Sequence, residues 1–273
     1  MSGPTAGDEG RTDRPAGGPA AEDPPLRADF GDAWVYESIV GAVPGAALSA
    51  PVAIGLQIVV FEAGILALAA AYDLWDAVPV GTVAVGVAAV GSLLMLTLGD
   101  ENRTLDVSPR YYRLLFGSSI EVVLAVLAFS GVVTHLFVVD PAAAGPPAVL
   151  LRLLPVAVAP AGATIVAELF GERPPAPAVF LALVVVWDLC YRIGTSWWTA
   201  VVSLYRELRL ECGPGTRPRF RRLDALNVGF AFVQLALVPF VADRPVLLAA
   251  LVGHVIAVTV VSGAAIALSL AAE

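Results

Sequence analysis

Residues 51–71 read PVAIGLQIVVFEAGILALAAA and residues 78–98 read VPVGTVAVGVAAVGSLLMLTL, and segments 114–139, 178–205, 225–242 and 246–272 are of the same kind. An α-helix rises ~1.5 Å per residue, so about 20 apolar residues cross a hydrocarbon layer ~30 Å thick. So many segments of that length cannot share one water-soluble core. Only 15% of the residues are charged, against roughly a quarter in soluble domains. The period-two alternation of a membrane barrel is absent, and only helices or closed barrels satisfy their backbone in lipid. The pattern predicts an all-α, polytopic transmembrane helical bundle.

The charged minority narrows the chemistry. All 16 basic residues are arginine, against 24 acidic residues. An acidic chain without lysine, rich in Ala and Val, has the composition of a salt-loving archaeon. Carboxylates stay hydrated where salt screens charge over a few ångströms. A GC-rich actinobacterium also favours Ala, Arg and Pro. Without lysine there is no Schiff base, so retinal chemistry is excluded.

Arginine also orients the chain. The loop DENRTLDVSPRYYR carries Arg103, Arg110 and Arg113, and the loop at 206–222 carries Arg206, Arg209, Arg217, Arg219, Arg221 and Arg222. Basic loops stay on the cytoplasmic side, so both are expected inside. An even number of crossings must then separate them, yet three apolar segments intervene: 114–139, 149–170 and 178–205. The weakest is VLLRLLPVAVAPAGATIVAELF at 149–170, with Arg152, Pro155, Pro160, Gly162 and Glu168. Proline removes a backbone donor and breaks a helix. Six crossings plus one broken or re-entrant segment are therefore expected, with both termini inside; seven crossings are the alternative.

Ahead of the bundle (47–273), residues 1–29 are Gly/Pro-rich and acidic, too poor in apolar surface to offset chain entropy, and are expected to be a disordered tail. Residues 30–46 interleave Phe30, Trp34, Tyr36 and Ile39 with Asp32 and Glu37, as an amphipathic segment lying at the interface does. Cys190 and Cys212 fall at different depths and are expected as free thiols.

The fifth segment holds most of the candidate chemistry. In WDLCYRIGTSWWTAVVSLYRELR, the residues Asp188, Arg192, Thr195, Thr199, Ser203 and Arg206 recur every three or four positions. That spacing makes a polar stripe on one helix face. Asp188 and Arg192 are four apart and can pair within the helix. A charge at mid-span costs ~3 kcal/mol on insertion scales, so this face should point inward. It either lines a pathway or fixes helix rotation as an internal ion pair. Glu62 near the middle of the first crossing is the expected third ionisable partner. Glu121, with Ser118, Ala125, Ala128 and His135, marks a face of the third crossing. His254 in the last crossing, with Asn227 and Gln234 in the sixth segment, would complete a buried cluster if these residues converge.

Enzyme signatures are poor. Two distant histidines and no HExxH give no metal site, and no motif implies a cofactor. Ser118 or Ser119 with His254 is the one conceivable nucleophile arrangement. RPRFRR at 217–222 reads as a cytoplasmic anchor loop rather than a nucleic-acid site.

FGDAWVYESIVGAVPG, LLFGSSIEVVLAVLAF and WDLCYRIGTSWW together resemble an uncharacterised family of multi-pass membrane proteins from halophilic archaea. The resemblance spans residues 30–270 and implies location in a cell membrane, without an assigned activity or site residues. Three functions stay open: a small-solute or ion transporter using the stripe, a non-catalytic scaffold with membrane-protein partners or a second copy, and a membrane-embedded enzyme. The bilayer is the one partner common to all three.

Overall fold

A computed structural model of the chain describes residues 50–105, 107–137, 164–210, 213 and 215–272. The expected tail at 1–29, the interfacial segment at 30–46 and Cys212 lie outside the described residues. Every regular element described is helical: α1 (Ala50–Tyr72), α2 (Val78–Thr104), α3 (Pro109–Leu115), α4 (Ile120–Phe137), α5 (Ile165–Phe170), α6 (Ala176–Arg209), α7 (Arg217–Val233), α8 (Val238–Val241) and α9 (Pro245–Ala271). Single 3-10 turns at Trp75–Ala77 and Gln234–Leu237 lead into α2 and α8. Among the described residues, six helical stretches are long and apolar enough to cross a membrane: Val52–Tyr72, Trp75–Thr104, Pro109–Phe137, Ala176–Arg209, Arg217–Val241 and Pro245–Ala271. The protein is an all-α, membrane-embedded bundle.

Local chemistry sets the boundaries. Asp73 turns the chain after α1 in the left-handed region (φ 57°), a conformation that Asp tolerates through its short polar side chain. Proline enters α2, α3, α6, α7, α8 and α9 in the first turn, where its missing N–H costs no hydrogen bond. Ser108 caps α3 by accepting from the Tyr111 N–H at 3.3 Å, and Thr164 caps α5 by accepting from the Ala167 N–H at 3.1 Å. Gly171 ends α5 with φ 81°.

The number of crossings follows from which ends meet. The Arg219 guanidinium donates to Thr104 Oγ1 at 3.4 Å, and Arg219 and Arg222 lie within 4 Å of Glu101. Arg217 donates to the Ala272 carbonyl. The last turns of α2 and α9 therefore meet the first turn of α7 at one arginine-rich end. At the other end, Arg244 Nη2 is 2.5 Å from Glu168 Oε1 of α5, and α5 packs on α4 and on the Trp75–Ala77 turn. The chain thus leaves α4 and enters α6 at the same end. Among the described residues, two crossings, α3–α4 and α6, separate the arginine-rich loops, in keeping with six crossings. Of the expected broken segment 149–170, only Thr164–Phe170 is described. Its helix is about 9 Å long, far short of a crossing.

The longest helix, α6, is the hub, touching α1, α2, α3, α4, α7 and α9. Its inward face is built of small residues, including Gly194, Ser196, Ala200 and Ser203. Small residues let helices approach closely where lipid supplies no hydrophobic drive. A Cβ on Gly194 would lie 2.9 Å from the Ala125 nitrogen and 3.1 Å from the Glu121 carbonyl oxygen, both on α4. Val59, Val60, Leu127, Phe180, Ile256 and Val260 are exposed and face the lipid.

Gly194→Ala should destabilise the bundle by about 1–3 kcal/mol, as overpacking does, because the obstacle is backbone. Gly253→Ala, where a Cβ meets nothing within 4 Å, should be neutral or stabilising. Melting temperatures in one detergent check this; equal behaviour of the two variants would contradict the close approach.

Candidate functional site

The polar stripe of α6 is buried as its spacing predicts: Arg192, Thr195, Thr199, Ser203 and Arg206 are all enclosed. Arg192 Nη2 lies 2.8 Å from Asp188 Oδ1, with the arginine fully covered and Asp188 15% exposed. The other Asp188 oxygen accepts from Gln57 Nε2 of α1 at 2.7 Å. Arg192 Nη1 also reaches Met95 Sδ of α2 at 3.2 Å. One neutral pair therefore ties α6 to α1 and α2 at mid-membrane.

Glu62 is not its third partner. One helical turn or more along α1, Glu62 accepts from Thr82 Oγ1 of α2 at 2.5 Å. The side chain nearest Asp188 on α1 is the amide of Gln57, since rotation of α1 turns Glu62 toward α2. The remaining candidates also separate rather than converge. Thr195 bonds back to the Tyr191 carbonyl at 2.8 Å, and the buried Thr199 hydroxyl has no hydrogen-bond partner among the described residues. Ser196 and Asn227 form a reciprocal pair between α6 and α7, at 2.8 and 3.0 Å. Gln234 is buried where α7 passes into a 3-10 turn, and its amide has no partner among the described residues.

Toward the arginine-rich end, a second ionic cluster joins α6 and α7. Arg206 donates to Asp224 Oδ2 at 2.8 Å and to Glu207 Oε1 at 2.9 Å, all three side chains being buried. The guanidinium carbon stands 4.0 Å from the centre of the Phe220 ring, and Tyr111 meets that ring edge-on. Cation–ring contacts of this kind gain strength when desolvated.

Glu121 and Ala125 are the buried residues of α4. Neither Glu121 carboxylate oxygen has a hydrogen-bond partner among the described residues. Ser118 and Ser119 lie at the corner between α3 and α4, with Ser119 at φ 54°. His254 belongs to a different region: its ring meets Trp197 edge-on at 6.5 Å, and it lines a cavity.

That cavity, of about 630 Å³, occupies the half of the bundle away from the arginine-rich end. Its wall is overwhelmingly apolar and comes from α1, α2, α4, α5, α6, α8 and α9. Cys190 and His254 stand at its inner level, Gly131 on its side, and His135, Glu168 and Arg244 toward the helix ends. Asp188 and Arg192 do not line it. No group of three or more metal-ligating side chains occurs among the described residues.

Gln57, Met95 and Asp224 were invisible as partners in the sequence, because their roles depend on how neighbouring helices rotate. Asp224 directly follows the arginine cluster and reads there as part of a solvated loop. The cavity had no signal at all, since a wall of Val, Leu and Ala has the composition of a packed core.

Breaking one member of a buried ion pair typically costs about 3–5 kcal/mol, because the other charge is left uncompensated. Asp188→Asn and Arg192→Leu should each lower stability by about that much, and the double variant should recover part of the loss. A double-mutant cycle in detergent measures the coupling; a value near zero would refute the pairing.

No curated protein and no solved structure is significantly similar to the chain. A family model does match over residues 29–265, most of the length, and by that match the chain belongs to a family of unknown function, DUF7530.

Proposed function

We propose that the protein is a small-solute carrier of a cell membrane, and that its solute occupies the apolar cavity rather than the polar stripe. The observation that carries this reading is the division of the bundle. The charged groups of the stripe are bound to one another and to neighbouring helices. The cavity lies beyond them and is lined mainly by apolar side chains. Its ~630 Å³ falls within the roughly 300–1,000 Å³ of pockets that take drug-sized ligands. An ion path needs polar groups free to replace hydration, and Asp188 and Arg192 already have partners. The same self-sufficiency of the stripe favours the second reading, a non-catalytic scaffold.

Orientation follows from charge. Arg103, Arg110, Arg113, Arg209, Arg219 and Arg222 are exposed at one end, which the excess of basic residues in cytoplasmic loops puts inside. The end of the cavity lined by Glu168, Asp243 and Arg244 then lies toward the outside. The lysine-free acidic composition supports a halophilic archaeal source.

Binding of a neutral naphthylamine dye that brightens in apolar surroundings tests the cavity. Gly131 lines the cavity and a Cβ there meets nothing within 4 Å, so Gly131→Phe is the variant chosen to crowd that wall. Saturable binding should be lost in Gly131→Phe while its melting temperature holds. Equal binding by both proteins, or none by either, would leave the scaffold reading in place. For orientation, cysteines introduced by Thr104→Cys and Thr216→Cys in a cysteine-free background should be shielded from an impermeant reagent in intact cells. Glu172→Cys should react; the reverse pattern would invert the protein.

A further inference from the structure

We infer that the cavity takes a hydrophobic monocation, a compact apolar body carrying one delocalised positive charge; this rests on the cavity reading above and names its substrate class. Three observations converge on it. The first is the charge at the mouth. Glu168 and Asp243 both line the cavity and both approach a single cation, Arg244, at 2.5 and 3.4 Å. Arg244 is fully buried between them, whereas the Glu168 and Asp243 side chains keep 43% and 32% exposure. The guanidinium is thus matched by one carboxylate, and the group as a whole carries an excess negative charge on its accessible side.

The second is the surrounding field. Among the described residues, Asp73, Asp76 and Glu172 are exposed at the same end, against Arg173. Like charge gathered around a low-dielectric cleft raises the local concentration of the opposite ion and repels its own sign. An organic anion of the same shape would meet this mouth unfavourably.

The third is the wall. Phe137, Phe170 and Phe240 line the cavity in the half that holds the carboxylates. A diffuse cation is drawn to aromatic rings and sheds its hydration far more readily than a compact ammonium. The apolar remainder of the wall suits the body of the ligand and offers nothing to a sugar, an amino acid or a hydrated metal ion. The buried His254 Nε2, which has no partner among the described residues, adds a single polar point at the inner level.

Tetraphenylphosphonium and tetraphenylborate have nearly the same size and shape and opposite charge, so they separate charge preference from fit. Equilibrium dialysis against the full-length protein in nanodiscs, with the Gly131→Phe protein as the blank for partition into lipid, gives the specific component for each ion. The phosphonium should bind at least about tenfold more tightly than the borate at low ionic strength, a difference of ~1.4 kcal/mol. Asp243→Asn removes one carboxylate and leaves the Glu168–Arg244 contact, so the ratio of phosphonium to borate affinity should shrink several-fold. Equal affinity for the two ions, or tighter binding of the borate, would overturn the cationic assignment and leave the cavity reading standing. Absence of specific binding by both ions and by the neutral dye would overturn the cavity reading itself. Preference unchanged in Asp243→Asn would refute the role given to the mouth.

Discussion

Hydrocarbon offers no hydrogen-bond partner, so each polar group on a crossing helix must find one in another helix or within its own, and α6 carries more such groups than any other crossing. Its burial at the centre of the bundle follows from that requirement. Asp188 and Arg192 reach α1 and α2, Ser196 reaches α7, and Arg206 reaches α7 through Asp224. Each contact contributes only about 1 kcal/mol in a membrane, because alternative partners exist in the unassembled state. Their larger effect is on register and rotation: a helix that must place Asp224 against Arg206 has little freedom to turn. The small residues between the polar ones allow α4 to approach until the backbones nearly touch at Gly194.

How much of this is visible in the sequence depends on the range of the interaction. The crossings are legible because apolar length is a property of one segment and the bilayer thickness is fixed. The Asp188–Arg192 pair is legible because four residues are one turn, and geometry within a helix is known in advance. The even number of crossings between the arginine-rich loops is legible for a similar reason, since charge bias is a rule about ends. Partners across helices are not. Glu62 and Gln57 lie on the same helix at comparable depth, and only the rotation of α1 decides that the amide meets Asp188 while the carboxylate meets Thr82. Asp224 looks solvated next to RPRFRR, yet Phe220 and Leu223 turn that helix inward and carry Asp224 with them. The cavity is the extreme case, an absence of packing among residues whose types all favour packing.

The bundle thus has two unlike halves. Toward the arginine-rich end, polar side chains are cross-linked and Tyr111, Phe220 and Leu98 fill the remaining space. Toward the acidic end, an apolar space opens among the helices, bordered by the Glu168–Arg244 contact. Such a division suits binding better than conduction. An ion passing along α6 would have to displace two guanidinium–carboxylate pairs, and replacing charge-assisted hydrogen bonds in a low dielectric is costly. A hydrophobic solute entering from the acidic end breaks none of them.

The arrangement of the central pair also decides which helix can move. Asp188 and Arg192 both belong to α6, so their attraction is independent of the position of α1. If α1 shifts away from α6, Asp188 loses the Gln57 amide but keeps its guanidinium. The cost at that pair is one hydrogen bond to a charged group, about 1.5–3 kcal/mol, and a shift that also leaves α2 adds the loss of the Glu62–Thr82 bond. Arg206 and Asp224 are different, because they sit on separate helices and separating α6 from α7 would strand both charges. Only a small share of α1 is buried, and α1 borders the cavity through Ile65, Leu68 and Ala69. Under the carrier reading, a displacement of α1 is one that leaves both the Asp188–Arg192 and the Arg206–Asp224 pairs intact.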